Sequence, residues 1–361
     1  MAYTTINDPS AYFQIDIHTS DGSGSTETFD GNSDLQADLL WFKSRSYAGD
    51  HGLVDTSRGK PSSNNSFFIL RSNSNGADVT VNSGADFTAI NSDGYTYGSV
   101  HYLDLATNTS QNCVWGWKAN GGTRTTFTES GNNPGGGYQA NTTAGFSIVD
   151  YVGTGSAGTV SHGLGAEPKV MIVKNRSSTA DWAVYHIKAS AAANDSYLTL
   201  NGTGAPATAG TVWNDTSPTS SVFTVGSNSK TNTDGDSYIA YLFCEKKGYS
   251  RFGSYKGNGD NNGAFVYTGF APAWVIIKNI TDSGDDWHML DTTRDTFNVA
   301  DARLKANTTD TEGDDDALDF LSNGFKLRNT SNARNSGDTF IYMAFAEHPL
   351  VTGTGTPATA R

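Results

Sequence analysis

The densest run of ionisable side chains in this 361-residue chain is Asp310-Thr311-Glu312-Gly313-Asp314-Asp315-Asp316. Carboxylates this crowded suggest either a divalent cation or paired acid–base chemistry on a glycosidic bond. The spacing departs from the Asp-x-Asp-x-Asp-Gly of an EF-hand loop. No apolar surroundings in the sequence would raise one carboxyl's pKa for general-acid work. A loop-built Ca2+ site on Asp310, Glu312, Asp314 and Asp316 is the one metal reading, with a solvated loop as the plain alternative; no other cofactor is expected. Seven histidines include no HxxxH or HxH pair, and Cys-x-x-Cys is absent, which disfavours a transition metal. Gly153-Thr154-Gly155-Ser156-Ala157-Gly158 matches GxGxxG, but the residues after it read as strand or turn. A pyrophosphate would find no helix N-terminus there. No GxSxG elbow marks a nucleophilic serine. The expectation is therefore a protein that is not an enzyme. What remains is stacking of a ring on a sugar face. Trp182 and Trp287 fall at equivalent places in a repeat and read as shared packing, whereas Trp213, in a polar stretch, is the ligand candidate.

The elements that must position these residues are strands. Gly, Ser, Thr, Asn and Asp separate short segments of aromatic and β-branched residues, and no long stretch has a 3.6-residue apolar period. Residues 223–245 align without a gap on 325–347. Each reads as a hairpin, an apolar strand and an Asn-rich connection closed by Gly-Asp before a longer strand. On the longer strand Ile239, Tyr241 and Phe243 share a face, as do Ile341, Met343 and Phe345. Leu39-Leu40-Trp41-Phe42-Lys43, Lys169-Val170-Met171-Ile172-Val173-Lys174 and Trp274-Val275-Ile276-Ile277-Lys278 are apolar runs ending in lysine. Runs without alternation fit strands buried on both faces. A ring follows each, at His51, Trp182 and Trp287. Asp55-Thr56-Ser57-Arg58 and Asp291-Thr292-Thr293-Arg294 come next in copies one and three, but copy two has Tyr185-His186 there.

The expected fold class is all-β, with tandem antiparallel β-sandwich (jelly-roll-like) repeats. The units lie at 1–118, 146–246 and 249–348. A Gly/Asn/Thr-rich linker at 119–145, either flexible or an ordered meandering loop, separates the first two, and 349–361 forms an extended tail. Exchange of strands between units and assembly of units around a threefold axis are both open.

A net charge of −13 disfavours nucleic acid and anionic membrane surfaces as partners. No apolar run approaches 18 residues, so neither membrane insertion nor a cleavable signal is expected. Cys113 and Cys244 occupy non-equivalent positions, which favours two buried thiols over a disulfide.

Several segments resemble a module found in virion proteins of tailed bacteriophages, especially marine ones. They are Gly145-Phe146-Ser147-Ile148-Val149, His162-Gly163-Leu164-Gly165-Ala166-Glu167-Pro168-Lys169, Trp182-Ala183-Val184-Tyr185-His186 and Tyr238-Ile239-Ala240-Tyr241. The opening Asp8-Pro9-Ser10-Ala11-Tyr12-Phe13-Gln14 is similar to the start of such proteins. The resemblance implies a structural protein on the particle surface: a tail fibre, a head fibre or a capsid decoration. With the repeats and the absent catalytic constellation, it leads to the expectation of a particle assembled in the host cytoplasm, contact with other virion proteins, a homo-oligomer (a trimer favoured) and contact with a host surface glycan. The other readings are a glycan-depolymerising tail protein and a secreted bacterial adhesin. Unit one is expected to anchor the chain, with units two and three projecting.

Overall fold

The computed structural model describes residues 3–62, 65–81, 86–99, 103 and 105–358, with Asp316 described by its backbone alone. The chain is almost entirely antiparallel β-structure, as the strand-and-turn composition predicts. Twelve strands form three equivalent four-stranded cores. Unit one has β1 (Phe13–Thr19), β2 (Leu39–Ser44), β3 (Gly52–Asp55) and β4 (Gln111–Trp117). Unit two has β5 (Phe146–Val152), β6 (Val170–Asn175), β7 (Ala183–His186) and β8 (Ser237–Phe243). Unit three has β9 (Ser250–Lys256), β10 (Phe270–Asn279), β11 (His288–Asp291) and β12 (Thr339–Pro349).

The spatial orders are β1-β4-β2-β3, β5-β8-β6-β7 and β9-β12-β10-β11. The register makes the units superposable. Trp115 sits between Ile15 and Trp41, Tyr241 between Ile148 and Ile172, and Met343 between Phe252 and Ile276.

Side chains alternate across each sheet, and both faces are buried. Odd-numbered residues of β2 and β4 and their counterparts point inward and form one core common to all three units. Phe345 lies 5.8 Å from Trp117 and 5.8 Å from Phe243, which hold its equivalent positions, and 5.3 Å from Phe13. The units are thus not beads on a string. They close around a pseudo-threefold axis within one chain. Each large ring buried there contributes about 1.5–3 kcal/mol. On the axis lies a gap of about 30 Å3 with apolar walls, among them Trp41, Leu53, Ile172, Val184, Ile276 and Met343. Those walls offer a water too few polar partners to hold it.

Outward-facing residues such as Leu40, Met171 and Val275 build a separate core in each unit. A second layer covers that face: strands Ser25–Glu27, Phe87–Ile90 and Tyr95–Tyr97 in unit one, and Gly158–Ser161 with Val222–Val225 in unit two. In unit three, Gly313–Leu321, Gly324–Leu327 and Phe265–Tyr267 curl over as a continuation of the main sheet.

Two expectations change here. The 223–245 and 325–347 segments are not hairpins. Val222–Val225 pairs with Gly158–Ser161, while β8 pairs with β5 and β6. The connection crosses from the outer layer to the inner sheet, so Phe223 and Tyr238 both enter the outer core of unit two, where Tyr151 stacks on Tyr238 at 5.1 Å and meets Phe223 edge-on at 6.0 Å. Asn232 Nδ2 secures that crossing with bonds to the carbonyls of Gly226 (2.7 Å) and Ser156 (2.6 Å). The 119–145 segment, read as a linker, carries strands Thr125–Phe127 and Gly136–Asn141, and the latter extends the sheet of unit two by pairing with β5. Its glycines are needed there for close approach. A Cβ on Gly136 would lie 2.0 Å from the Asp150 carbonyl oxygen.

The rings expected to share packing close the circle of units. Trp182 Nε1 of unit two donates to the Arg71 carbonyl of unit one at 2.9 Å. Trp287 Nε1 of unit three donates to the Thr199 carbonyl of unit two at 3.1 Å. His51 of unit one accepts Trp41 Nε1–H on Nδ1 (2.9 Å), which leaves its Nε2–H to bond the Lys305 carbonyl of unit three at 2.9 Å. Burial lowers the His51 pKa to about 3 and keeps the ring neutral.

Candidate ligand-binding groove

The Asp-Thr-x-Arg motifs of units one and three could have been chemistry; their geometry makes them inter-unit struts. Arg58 Nε meets Asp55 Oδ2 at 2.5 Å with both side chains fully buried. Asp55 also accepts the Tyr241 hydroxyl of unit two at 2.7 Å. Arg58 Nη1 reaches Asp78 at 3.0 Å, and Asp78 takes Arg176 of unit two at 2.7 Å. The three–one junction repeats the arrangement. Arg294 Nε meets Asp291 at 2.6 Å, Trp115 Nε1 donates to Asp291 at 3.0 Å, and Glu312 bridges Arg294 (2.9 Å) and Arg45 (2.6 Å).

At the two–three junction the equivalent positions are His186, Ala189, Ile280 and Met343. Methionine cannot donate to a carboxylate, and an unpartnered buried carboxylate is costly, so the members change together. His186 there uses Nε2 on the Tyr342 carbonyl at 3.2 Å.

This accounts for the acidic run. Burial would raise the Glu312 carboxyl pKa, but Arg45 and Arg294 outweigh it and hold it below the ordinary range. Asp310 pairs with Lys305 at 3.0 Å, and that bond holds it low. Asp314 lies exposed on strand Gly313–Leu321, and the Asp316 side chain falls outside the described residues. The expected Ca2+ set therefore does not converge: two of its carboxylates are held by cations of the chain. Among the described residues no three His, Cys, Asp or Glu side chains gather for a metal.

Trp213 is likewise corrected. It is fully buried, donates Nε1–H to the Ser196 carbonyl at 3.0 Å and packs edge-on to Tyr185 at 6.0 Å. A ring in that position has no face for a ligand. The polar residues after it, Asn214-Asp215-Thr216, form the surface, while Gly210–Trp213 is a single helical turn directed inward. The cysteines are free and buried, as expected.

An open groove does exist, where unit two meets unit three. One lobe, of about 580 Å3, runs between β9 and strand Phe265–Tyr267 and is bordered by Lys169 and Lys188 of unit two. A second lobe, of about 610 Å3, is lined by Tyr3, Lys247 and Gly269, and the two share Glu245, Arg251 and Tyr267. Volumes of this size suit a small ligand or a few saccharide units.

On Phe265–Tyr267 the alternation of a strand sends Val266 into the core and both rings out. Phe265 is 48 % exposed and Tyr267 54 %, against 5 % for Val266. Tyr3 donates to the Gly269 carbonyl at 2.6 Å, and Lys247 Nζ stands 4.4 Å over the Tyr3 ring. Glu245 accepts the Phe252 N–H at 2.9 Å and meets Arg251 at 3.4 Å. The groove is open because β9 is a sheet edge; the corresponding edge of unit two is covered by Gly136–Asn141. Sequence reasoning missed this site. The one local signal was Phe265-Val266-Tyr267, a strand with aromatics at both outward positions, and the cations beside it come from distant segments.

No curated protein and no solved structure shows a significant match to the chain. A family described as "Domain of unknown function (DUF7483)" matches residues 8–349, nearly the whole three-unit body. The chain belongs to that family, DUF7483.

Proposed function

We propose that this protein is a non-catalytic structural component of the surface of a tailed-bacteriophage particle, one that touches a saccharide of the host through the two–three groove. The observation that carries the reading is closure of three sandwiches around one core within a single chain. That architecture yields a rigid, threefold-like body suited to display, and it accords with the resemblance of the modules to virion proteins. The threefold character expected of three associating copies is supplied within one copy, so we take the single chain as the displayed unit. Unit one is assigned to the particle side, in contact with other virion proteins, and the groove to the solvent side.

Binding is favoured over cleavage by the inventory of the groove. Glycoside hydrolysis uses a pair of carboxylates, and among the described residues the lobes contain one, Glu245, already bonded to Phe252 N–H and Arg251. Mass spectrometry of gradient-purified particles, with imaging of particles carrying a tag on this chain, tests the assignment. The chain should co-purify with intact particles at a fixed stoichiometry and label their exterior. Its absence from purified particles would remove the reading.

A further inference from the structure

The three inter-unit grooves occupy equivalent places, and the register allows them to be compared position by position. At the one–two junction the groove is filled. Gln139 of the covering strand accepts from Thr56 Oγ1 at 3.1 Å and donates to Ser57 Oγ at 2.7 Å. At the three–one junction it is a smaller opening of about 250 Å3, bordered by Gln14, Ala273 and Thr293 together with Asp8, Asp30 and Glu347. At the two–three junction the positions of Gln14, Ala273 and Thr293 are taken by Arg251, Lys169 and Lys188. The fold therefore does not require cations at these three places; two of its own junctions do without them.

The cations also run against the character of the chain. With a net charge of −13 overall, the two–three groove gathers Lys169, Lys188, Lys247 and Arg251 around one lining carboxylate among the described residues, Glu245. Glu167 lies beside Lys169 at 3.0 Å, and among the described residues no hydrogen bond or ion pair holds the exposed Lys188 ammonium. A concave site of one sign set in a surface of the other focuses its field on an oppositely charged ligand. The rings of Phe265 and Tyr267 add flat apolar faces about 6.6 Å apart along the strand.

We infer that the two–three groove is a binding site for an anionic polysaccharide, its sugar rings lying on Phe265 and Tyr267 and its carboxylate or sulfate groups meeting Lys188, Arg251 and Lys247. This rests on the proposed saccharide contact and narrows it to acidic chains.

The test is calorimetric titration of the full chain with alginate oligosaccharides (carboxylate), dextran sulfate (sulfate), neutral dextran and poly-glutamate. At low salt at least one of the acidic polysaccharides should bind, and neutral dextran and poly-glutamate should not. Tyr267→Ala and Lys188→Glu, both at exposed side chains, should each weaken binding about tenfold. Raising the salt to about 0.5 M should weaken it further by screening.

Equal binding of neutral dextran, equal binding of poly-glutamate, or affinity unchanged in both variants would each overturn the inference. Dextran binding that is lost in Tyr267→Ala would leave the saccharide reading standing while removing its anionic character. No binding to any sugar would remove both. Acidic-glycan binding by a chain absent from purified particles would keep the inference and end the virion assignment.

Discussion

Replacing Arg58 with alanine tests whether the one–two junction is a unit that works only when complete. The guanidinium donates to Asp55 (2.5 Å), Asp78 (3.0 Å), the Leu53 carbonyl (2.7 Å) and Tyr241 (3.3 Å), and the side chain is fully buried. Alanine leaves the equally buried Asp55 carboxylate, among the described residues, with the backbone N–H of position 58 (2.8 Å) and the Tyr241 hydroxyl (2.7 Å). Removing one member of a buried pair costs about 3–5 kcal/mol, because the surviving charge lacks both water and counter-ion. The two–three junction shows what a compatible set looks like, with His186, Ala189 and Met343 at these positions. Transplanting it as Asp55→His, Arg58→Ala and Tyr241→Met should recover about 2 kcal/mol or more relative to Arg58→Ala alone. The assay is urea denaturation, with ΔΔG taken from the midpoint at constant slope. An Arg58→Ala cost below about 1 kcal/mol, or a triple variant less stable than the single, would refute the reasoning.

Phe345→Ala should cost about 3–5 kcal/mol, and calorimetry should show the whole chain losing stability in one transition, since that ring touches Phe13, Trp117, Phe243 and Trp274. Separate melting of unit three would contradict the shared core. Burial lowers the pKa of His51 to about 3 and of His186 to about 4, so the unfolded chain binds the extra protons as pH falls below about 6.5. Stability should therefore decline from there downward by about 1.4 kcal/mol per pH unit for each ring, and His51→Gln should flatten the decline in a pH series of denaturation midpoints. Trp213→Ala should lower stability by about 3–5 kcal/mol without changing glycan affinity, measured by the same titrations, because the ring lies within the outer core of unit two.

The amino-acid sequence by itself determined the all-β class, the three copies and the doubly buried strands. Strand alternation, turn chemistry and runs such as Val170-Met171-Ile172-Val173 are written within a few residues and need no partner to be read. The likeness of His51, Trp182 and Trp287 was equally legible, although not that each would bond the neighbouring unit. Tertiary structure decided the rest, for reasons of distance along the chain. Trp115 and Asp291, 176 residues apart, explain why two units keep an Asp/Arg pair and one does not. The inward turn of Trp213 and the capture of Glu312 by Arg45, 267 residues away, dissolved the sites that local composition suggested. The groove arises because a two-residue connection leaves β9 uncovered, whereas 27 residues between the first two units supply a strand over β5. Its cations and rings are ordinary surface residues in sequence, and only closure of the three units places them around one space.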